Sequence, residues 1–450
     1  MSVLSSTAAA IPLRALRGAA RLAPGWFEKA LFAFAEKGTE AIPYPQGRMF
    51  AGQMLRFAQQ ILPTGCHRCR VKVLDNLVLG SIAGKRQRLD YRRRTGVQPP
   101  YLLVISPSMR CNLRCIGCYA ARYAKDDEMP FDLLDRILNE AEAMGITFIT
   151  ISGGEPFARA DLLDLYAAHE RMYFMVYTNG TLIDDRLADR LAALGHVMPC
   201  ISVEGFEAET DRRRGRGTHQ RILSAMERLH RRGVFFGFSA TATRQNNDTI
   251  VSDEFIDFYR DRGCVAGWYF NYIPIGKEPD LSLMPTPEQR IHRRRRLRKL
   301  RARLPMLLMD FWNDGALVGG CMAAGRYYLH INVHGDVEPC VFAQFAVDNI
   351  RGKSLHEVLE SPFFRTVREQ QPFSGNHLRA CMIIDHPQIL RDAVRRHGAR
   401  AAYDGGEALL EKAADGLDAY AAHWARLADS EWLAEGSDDL EHAEHRRRAQ

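Results

Sequence analysis

Apolar and polar positions alternate in two textures along the chain, and the change falls near residue 98. Upstream, residues 26–35 and 49–62 repeat apolar side chains at three- and four-residue spacing, which predicts helices. Pro43, Pro45 and Gly47 break the pattern between them. Downstream the texture becomes short apolar runs at 101–106, 148–152, 174–177, 200–203, 235–240 and 268–273. Helical periodicity separates them at 131–144, 162–171, 184–194 and 219–232. Strand-like runs alternating with helices argue for an α/β fold of parallel βα units, closing into a full or partial barrel. A doubly wound open sheet has the same periodicity, so pattern alone does not separate the two.

Beyond Pro287 lies the densest charge run, residues 290–303. It reads as a solvated helix face with Ile291, Leu297, Leu300 and Leu304 turned inward, or as a clamp for phosphate or an anionic surface. Residues 327–341 resemble a hairpin about His334-Gly335, and the tail is rich in Ala, Glu and Arg and predicted helical. The expected organisation is a helical N-terminal extension (1–97), a core (98–285), a basic helical linker (286–314), a small region with its own cysteines (315–395) and a helical tail (396–450).

At 450 residues, 46% hydrophobic and 26% charged, the chain has ordinary globular composition and is too long for one hydrophobic core without extensions. No apolar run reaches the length of a membrane span. The net charge of +7, carried mostly by Arg, favours an anionic partner only weakly. The opening residues have no basic n-region and no acidic residue before Glu28, so an amphipathic helix or a transit-like segment is expected, not a secretory signal. Cytoplasmic location, with peripheral contact at the inner face of the membrane, is the expectation. Ten cysteines are too sparse for a disulfide scaffold, and in a reducing compartment clustered thiols more often bind metal than pair.

Their spacing is the strongest chemical signal. Cys111-Asn-Leu-Arg-Cys115-Ile-Gly-Cys118-Tyr119 places three thiols within eight residues, just past the first apolar run. A strand or helix would point them in different directions, whereas a loop can gather them around an iron–sulfur cluster. Three ligands on four irons leave one iron open; a zinc site completed by a distant His is the alternative. The motif resembles the radical S-adenosylmethionine (SAM) superfamily signature, Cys-x3-Cys-x2-Cys followed by an aromatic residue, here Tyr119. Ser152-Gly153-Gly154-Glu155-Pro156 resembles that family's element for the SAM methionine amino group. The resemblance carries over Thr178, Asn179, Ser202 and Glu204 to the methionyl and ribose parts of SAM, and Arg214-Gly215 to an adjacent element. Each follows a successive apolar run, where barrel active sites assemble. The resemblance implies a partial (β/α)6 TIM-like barrel and a 4Fe-4S cluster that chelates SAM. It also implies an electron donor such as flavodoxin or ferredoxin, and reductive cleavage of SAM to a 5′-deoxyadenosyl radical that abstracts hydrogen from a substrate carbon. No catalytic acid or base is assigned.

Gly335-Asp-Val-Glu-Pro-Cys340 resembles the C-terminal regions called SPASM or twitch, which hold auxiliary clusters. Only Cys321, Cys340 and Cys381 are present, against seven in the full SPASM pattern, so one auxiliary cluster is expected, the alternative being a vestigial domain whose cysteines are buried and reduced. Its fourth ligand is left among Asp385, His386 and a distant cysteine. Cys66-His-Arg-Cys69 reads as half a metal site, a redox pair, a source of that ligand, or coincidence. Cys200 and Cys264 read as core, and Tyr272 or Lys277 as substrate-facing. The substrate is expected to be a lipid or isoprenoid, a small metabolite or a peptide. RNA modification through residues 290–303, or a non-catalytic iron–sulfur protein, are the alternatives, and no further nucleic-acid motif supports the former.

Overall fold

Every one of the six apolar runs becomes a parallel strand: β1 (Leu102–Ile105), β2 (Phe148–Ile151), β3 (Tyr173–Thr178), β4 (Val197–Val203), β5 (Phe236–Ala242) and β6 (Cys264–Asn271). The computed structural model describes residues 45–448, with side-chain surroundings for 49–435; the helix expected at 26–35 lies outside them. Each strand pairs in parallel with the next. A doubly wound sheet reverses its strand order at a switch point, so this strictly sequential order belongs to the barrel class. The intervening helices bury one stripe, as in Phe131–Ala143, where Leu134, Ile137, Leu138 and Ala141 face the core.

The sheet extends further than six strands. On one edge β7 (Leu307–Asp310) pairs in parallel with β6. On the other, β8 (Tyr328–Ile331) pairs in parallel with β1, followed by antiparallel β9 (Asp336–Glu338). A small β10 (Phe345–Ala346) pairs with β12 (Arg400–Ala401), and β11 (Asp348–Asn349) closes the order β11-β9-β8-β1 through β7. The cysteine-bearing C-terminal region is therefore continuous with the core sheet, and Gly335, at a φ of 86°, makes the expected hairpin turn.

Residues 57–79 cover the end where the strands begin. Phe57, Leu62, Cys69, Val73 and Leu74 pack on Tyr173, Phe235, Val265 and Ala266. Lys72 Nζ and Asn76 Nδ2 donate to the carbonyl of Glu170 at 2.7 and 2.8 Å, fixing the turn into β3.

The basic run forms one helix, Pro287–Arg303, started by a reciprocal cap between Thr286 and Gln289. Ile291, Leu297, Leu300 and Leu304 are buried as expected. The charged face departs from the sequence expectation, because Arg290, Arg293, Arg294 and Arg301 are buried as well. Arg290 pairs with Asp385 (2.8 Å), Arg293 with Asp310 (2.9 Å), Arg294 with Glu435 (2.6 Å) and Arg301 with Asp314 (2.6 Å). The Arg290 guanidinium also lies 3.7 Å from the Trp424 ring centroid. Arginines already engaged with the chain's own carboxylates serve as an internal tie between the core, the C-terminal region and the tail helix. These four are not available to phosphate or lipid, while Arg295 and Arg303 of the same helix stay exposed. No helix among the described residues is long and apolar enough to cross a membrane.

Candidate active site

The three clustered thiols sit on a loop between β1 and the Phe131–Ala143 helix. Its base is closed by Met109 N–H donating to Asp127 O (3.0 Å) and Met129 N–H to Pro107 O (2.8 Å). Its far side is wedged. Ile116 N–H donates to Arg213 O at 2.9 Å, and Arg213 Nε returns a bond to Ile116 O at 3.1 Å. Gly117 lies over Tyr272, whose ring would be 2.8 Å from an added Cβ. Tyr272 is therefore a buried support for the loop, not a substrate-facing group, while Lys277 is exposed beside Glu278.

The Gly-Gly-Glu-Pro element runs alongside that loop. Gly154 N–H donates to Ser108 O (2.9 Å) and Glu155 N–H to Arg110 O (2.7 Å). A Cβ on Gly154 would stand 2.3 Å from Arg110 O, so the absence of a side chain lets these two backbones meet. Gly154→Ala is accordingly expected to push the Cys111 arm outward. Anaerobically reconstituted protein should then lose most of the iron bound at this loop, and full loading would contradict the reading.

Glu155 is buried, and its carboxylate joins the ends of β2 and β3. Oε1 accepts from Thr178 Oγ1 (2.7 Å) and Phe157 N–H (3.1 Å), and Oε2 from Asn179 N–H (2.7 Å). Burial pushes its carboxyl above the ordinary range, against these three donors. Asn179 bonds Asn112 (2.9 Å) and Thr181 (2.7 Å), with its Nδ2 4.0 Å from Cys111 Sγ, so it clasps the first cysteine. Tyr119 OH bonds Ser152 Oγ (2.6 Å) and accepts from Gly153 N–H (3.1 Å), tying the third cysteine's end of the loop to the β2 exit.

Ser202 on β4 lies 3.3 Å from Ser239 on β5. Buried Glu204 is held by Arg213 (2.6 Å) and Arg214 (2.6 Å), which fixes the Glu207–Arg214 helix against the loop. Burial raises the Cys111 and Cys115 thiols, with Arg214 opposing at Cys115, so ligation there would release protons.

The downstream thiols form a second group. Tyr328 OH donates to Cys340 Sγ at 2.7 Å. Burial is the main reason that Cys321 is pushed up to about 12, and it raises Cys340 and Cys381 as well. Backbone N–H groups two residues on point at Cys111 (3.5 Å), Cys321 (3.5 Å), Cys340 (3.5 Å) and Cys381 (3.3 Å). Donors aimed at sulfur suit thiolate ligands of iron. Among the described residues no three His, Cys, Asp or Glu groups converge on a point that one metal ion would occupy. A multi-iron cluster needs no such convergence, because each thiolate binds its own iron.

Of the expected fourth-ligand candidates, Asp385 already accepts from Arg290 (2.8 Å) and Cys381 N–H (2.9 Å), and His386 bonds Arg379 O (3.1 Å). Cys66 and Cys69 belong to the apolar cluster under the start of the strands, which contains none of these thiols. Cys200 and Cys264 are buried in the strands, as expected.

Sequence reasoning missed one buried chain that reaches between the two groups. Ser106 Oγ bonds His330 Nε2 (2.8 Å), and His330 Nδ1 bonds Glu338 Oε2 (2.6 Å). The available signal was the alternation of His330, Asn332, Asp336 and Glu338 with apolar residues in the hairpin, which sets His330 opposite Glu338. Phe342, beyond Cys340, meets Tyr119 at 6.1 Å between ring centroids.

Residues 105–255 match the Radical SAM superfamily, and residues 321–382 match the iron-sulfur cluster-binding domain called SPASM. The chain is 31% identical over 320 residues to the mycofactocin maturase MftC of Mycolicibacterium smegmatis, spanning 65% of this chain and 80% of that protein. It is 24% identical to the AdoMet-dependent heme synthase of Methanosarcina barkeri, over 64% of this chain and 90% of that one. Streptococcus suis SuiB bound to S-adenosylmethionine shares the fold, with a TM-score of 0.55 at 21% identity over 66% of this chain and 76% of that chain. With three loop thiols at the carboxyl ends of sequential parallel strands and a relative this similar over most of its length, the chain belongs to the radical SAM superfamily as a SPASM-containing enzyme that uses SAM and 4Fe-4S clusters.

Proposed function

We propose that this enzyme modifies a peptide, with Cys111, Cys115 and Cys118 holding the SAM-cleaving cluster and Cys321, Cys340 and Cys381 holding one auxiliary cluster. The observation that carries the site assignment is the direct bonding of the cysteine loop to the Gly-Gly-Glu-Pro backbone. This brings three thiols and the buried Glu155 to the carboxyl ends of β1 and β2. When bound, the reduced cluster supplies the electron that cleaves SAM.

The chain's own residues then have distinct tasks. Among the described residues Glu155 Oε2 accepts one bond, leaving a direction for the ammonium group of a SAM methionine, and a cation there would favour the charged carboxylate. Tyr119 and Asn179 fix the two ends of the loop. Glu204 with Arg214 holds the wall beside Cys115, and Ser202 offers a hydroxyl near the carboxyl end of β4.

The peptide class rests on the maturase relative and on SuiB, a structure of which is described as bound to the precursor peptide SuiA. It is favoured over a lipid because Arg290, Arg293 and Arg294, part of the run that suggested an anionic surface, are buried in internal ion pairs. The test is comparison of peptides and small metabolites from cells with and without the gene. A peptide whose mass or cross-linking depends on the gene is expected; a change confined to lipids or tetrapyrroles would overturn the peptide reading.

The auxiliary assignment has its own check. Cys340→Ala should lower iron from about eight to about four per chain while leaving substrate-free SAM cleavage in place. Unchanged iron would contradict it.

A further inference from the structure

The pair Cys66 and Cys69 has no part in the site above, yet its geometry is specific. Cys66 is half-buried and Cys69 is fully enclosed, 2% exposed, so one sulfur is reachable and the other is not. Cys66 stands at the start of the His67–Lys72 helix, its Sγ accepting the Cys69 backbone N–H at 3.4 Å. Its backbone is held rigidly. Cys66 N–H donates to Gly233 O at 2.8 Å, and Gly233, at a φ of 61°, would carry a Cβ only 2.5 Å from Cys66 N.

The surroundings favour an anion on the reachable sulfur. His67 and Arg68 are exposed next to it. The bond from the Cys69 thiol, followed by backbone donors and His67, outweighs burial and lowers Cys66 to about 6, while Cys69 is raised. Among the described residues no third metal-binding side chain joins them.

We infer that Cys66 and Cys69 form a redox-active dithiol that exchanges with a disulfide-bearing partner, Cys66 attacking and Cys69 resolving. The Cys66 thiolate attacks one sulfur of the partner disulfide, forming a mixed disulfide and releasing one partner thiolate. Cys69 gives up its proton and attacks Cys66 Sγ, closing the internal disulfide and expelling the second partner thiolate. The dithiol is oxidised and the partner disulfide is reduced to two thiols, one taking the Cys69 proton and the other a proton from solvent, where Cys66 had released its own. A low-pKa, accessible thiol beside a protected one is the arrangement this exchange requires.

The test uses the full-length holoprotein, equilibrated anaerobically with mixtures of reduced and oxidised glutathione, alkylated and mapped by mass spectrometry. The expected result is a Cys66–Cys69 disulfide in the wild type, seen as loss of two hydrogens from the peptide carrying both. Cys69→Ser, or Cys69→Ala where Ser is not tolerated at the buried position, should trap glutathione on Cys66. Cys66→Ser should trap none on Cys69 and should leave substrate-free SAM cleavage unchanged. The inference is overturned if both thiols stay reduced at every glutathione ratio, if glutathione is captured on Cys69, or if the pair carries stoichiometric zinc or iron that Cys66→Ser removes.

Discussion

Arg293→Met is expected to lower stability by about 3–5 kcal/mol, the range for breaking a buried ion pair from one side. Arg293 is fully buried and serves three acceptors: Asp310 (2.9 Å), Asn247 (2.9 Å) and Asn271 (2.6 Å). Methionine fills much of the volume but supplies no donor, so the Asp310 carboxylate is left without its charge partner. Arg295→Met is the control, because Arg295 is 63% exposed and its pair with Glu431 should contribute less than about 1 kcal/mol. Denaturation midpoints of the two variants check the contrast; equal shifts would return the helix to a solvated face.

The same pair predicts a pH dependence. Burial works against the charged Asp310 carboxylate, but Arg293 outweighs it and holds the group below the ordinary carboxylate range. A group whose folded pKa is depressed stabilises the fold above its unfolded pKa, about 3.9, and loses that contribution as pH falls through the folded value. The wild type should therefore lose this increment in acid, and Arg293→Met should show less of that loss.

What was legible in the sequence and what was not follows from how far apart the partners lie. Residues 148–151 or 173–178 announce a buried strand locally, because both faces are covered and the run is almost entirely apolar, with one Thr in each. Cys111, Cys115 and Cys118 are likewise a local pattern, and the loop they define is where the structure puts it. The arginine run misled because its partners are remote: Glu435 meets Arg294 from the tail helix, and Asp385 meets Arg290 from beyond Cys381. Helical periodicity cannot reveal a carboxylate arriving from another element. Strand β7 was missed because four residues directly after that run give too short a pattern. β8 was expected as one arm of the 327–341 hairpin, but its parallel pairing with β1 was not, because it joins distant parts of the chain. The Gly-Gly pair was read from its resemblance to a SAM-binding element; its closest neighbour is the cysteine loop's own backbone, a contact that only the folded chain displays.

The central claim is that the Cys111, Cys115 and Cys118 loop carries the SAM-cleaving cluster, and its loss should be complete. Each thiol is expected to supply one iron ligand, and no other described thiol lies within this loop, so changing all three to Ala leaves nothing to hold that cluster. The remaining loop contacts, Tyr119 with Ser152 and Ile116 with Arg213, do not involve these sulfurs, so the fold should persist. The decisive measurement is 5′-deoxyadenosine formed from SAM by chemically reduced, anaerobically reconstituted protein, with iron and sulfide counted in the same preparation. The account predicts formation by the wild type, none above background in the triple variant, and a fall of about four irons per chain. Wild-type rates of 5′-deoxyadenosine formation in the triple variant, or a wild type holding zinc without sulfide at this loop, would contradict it.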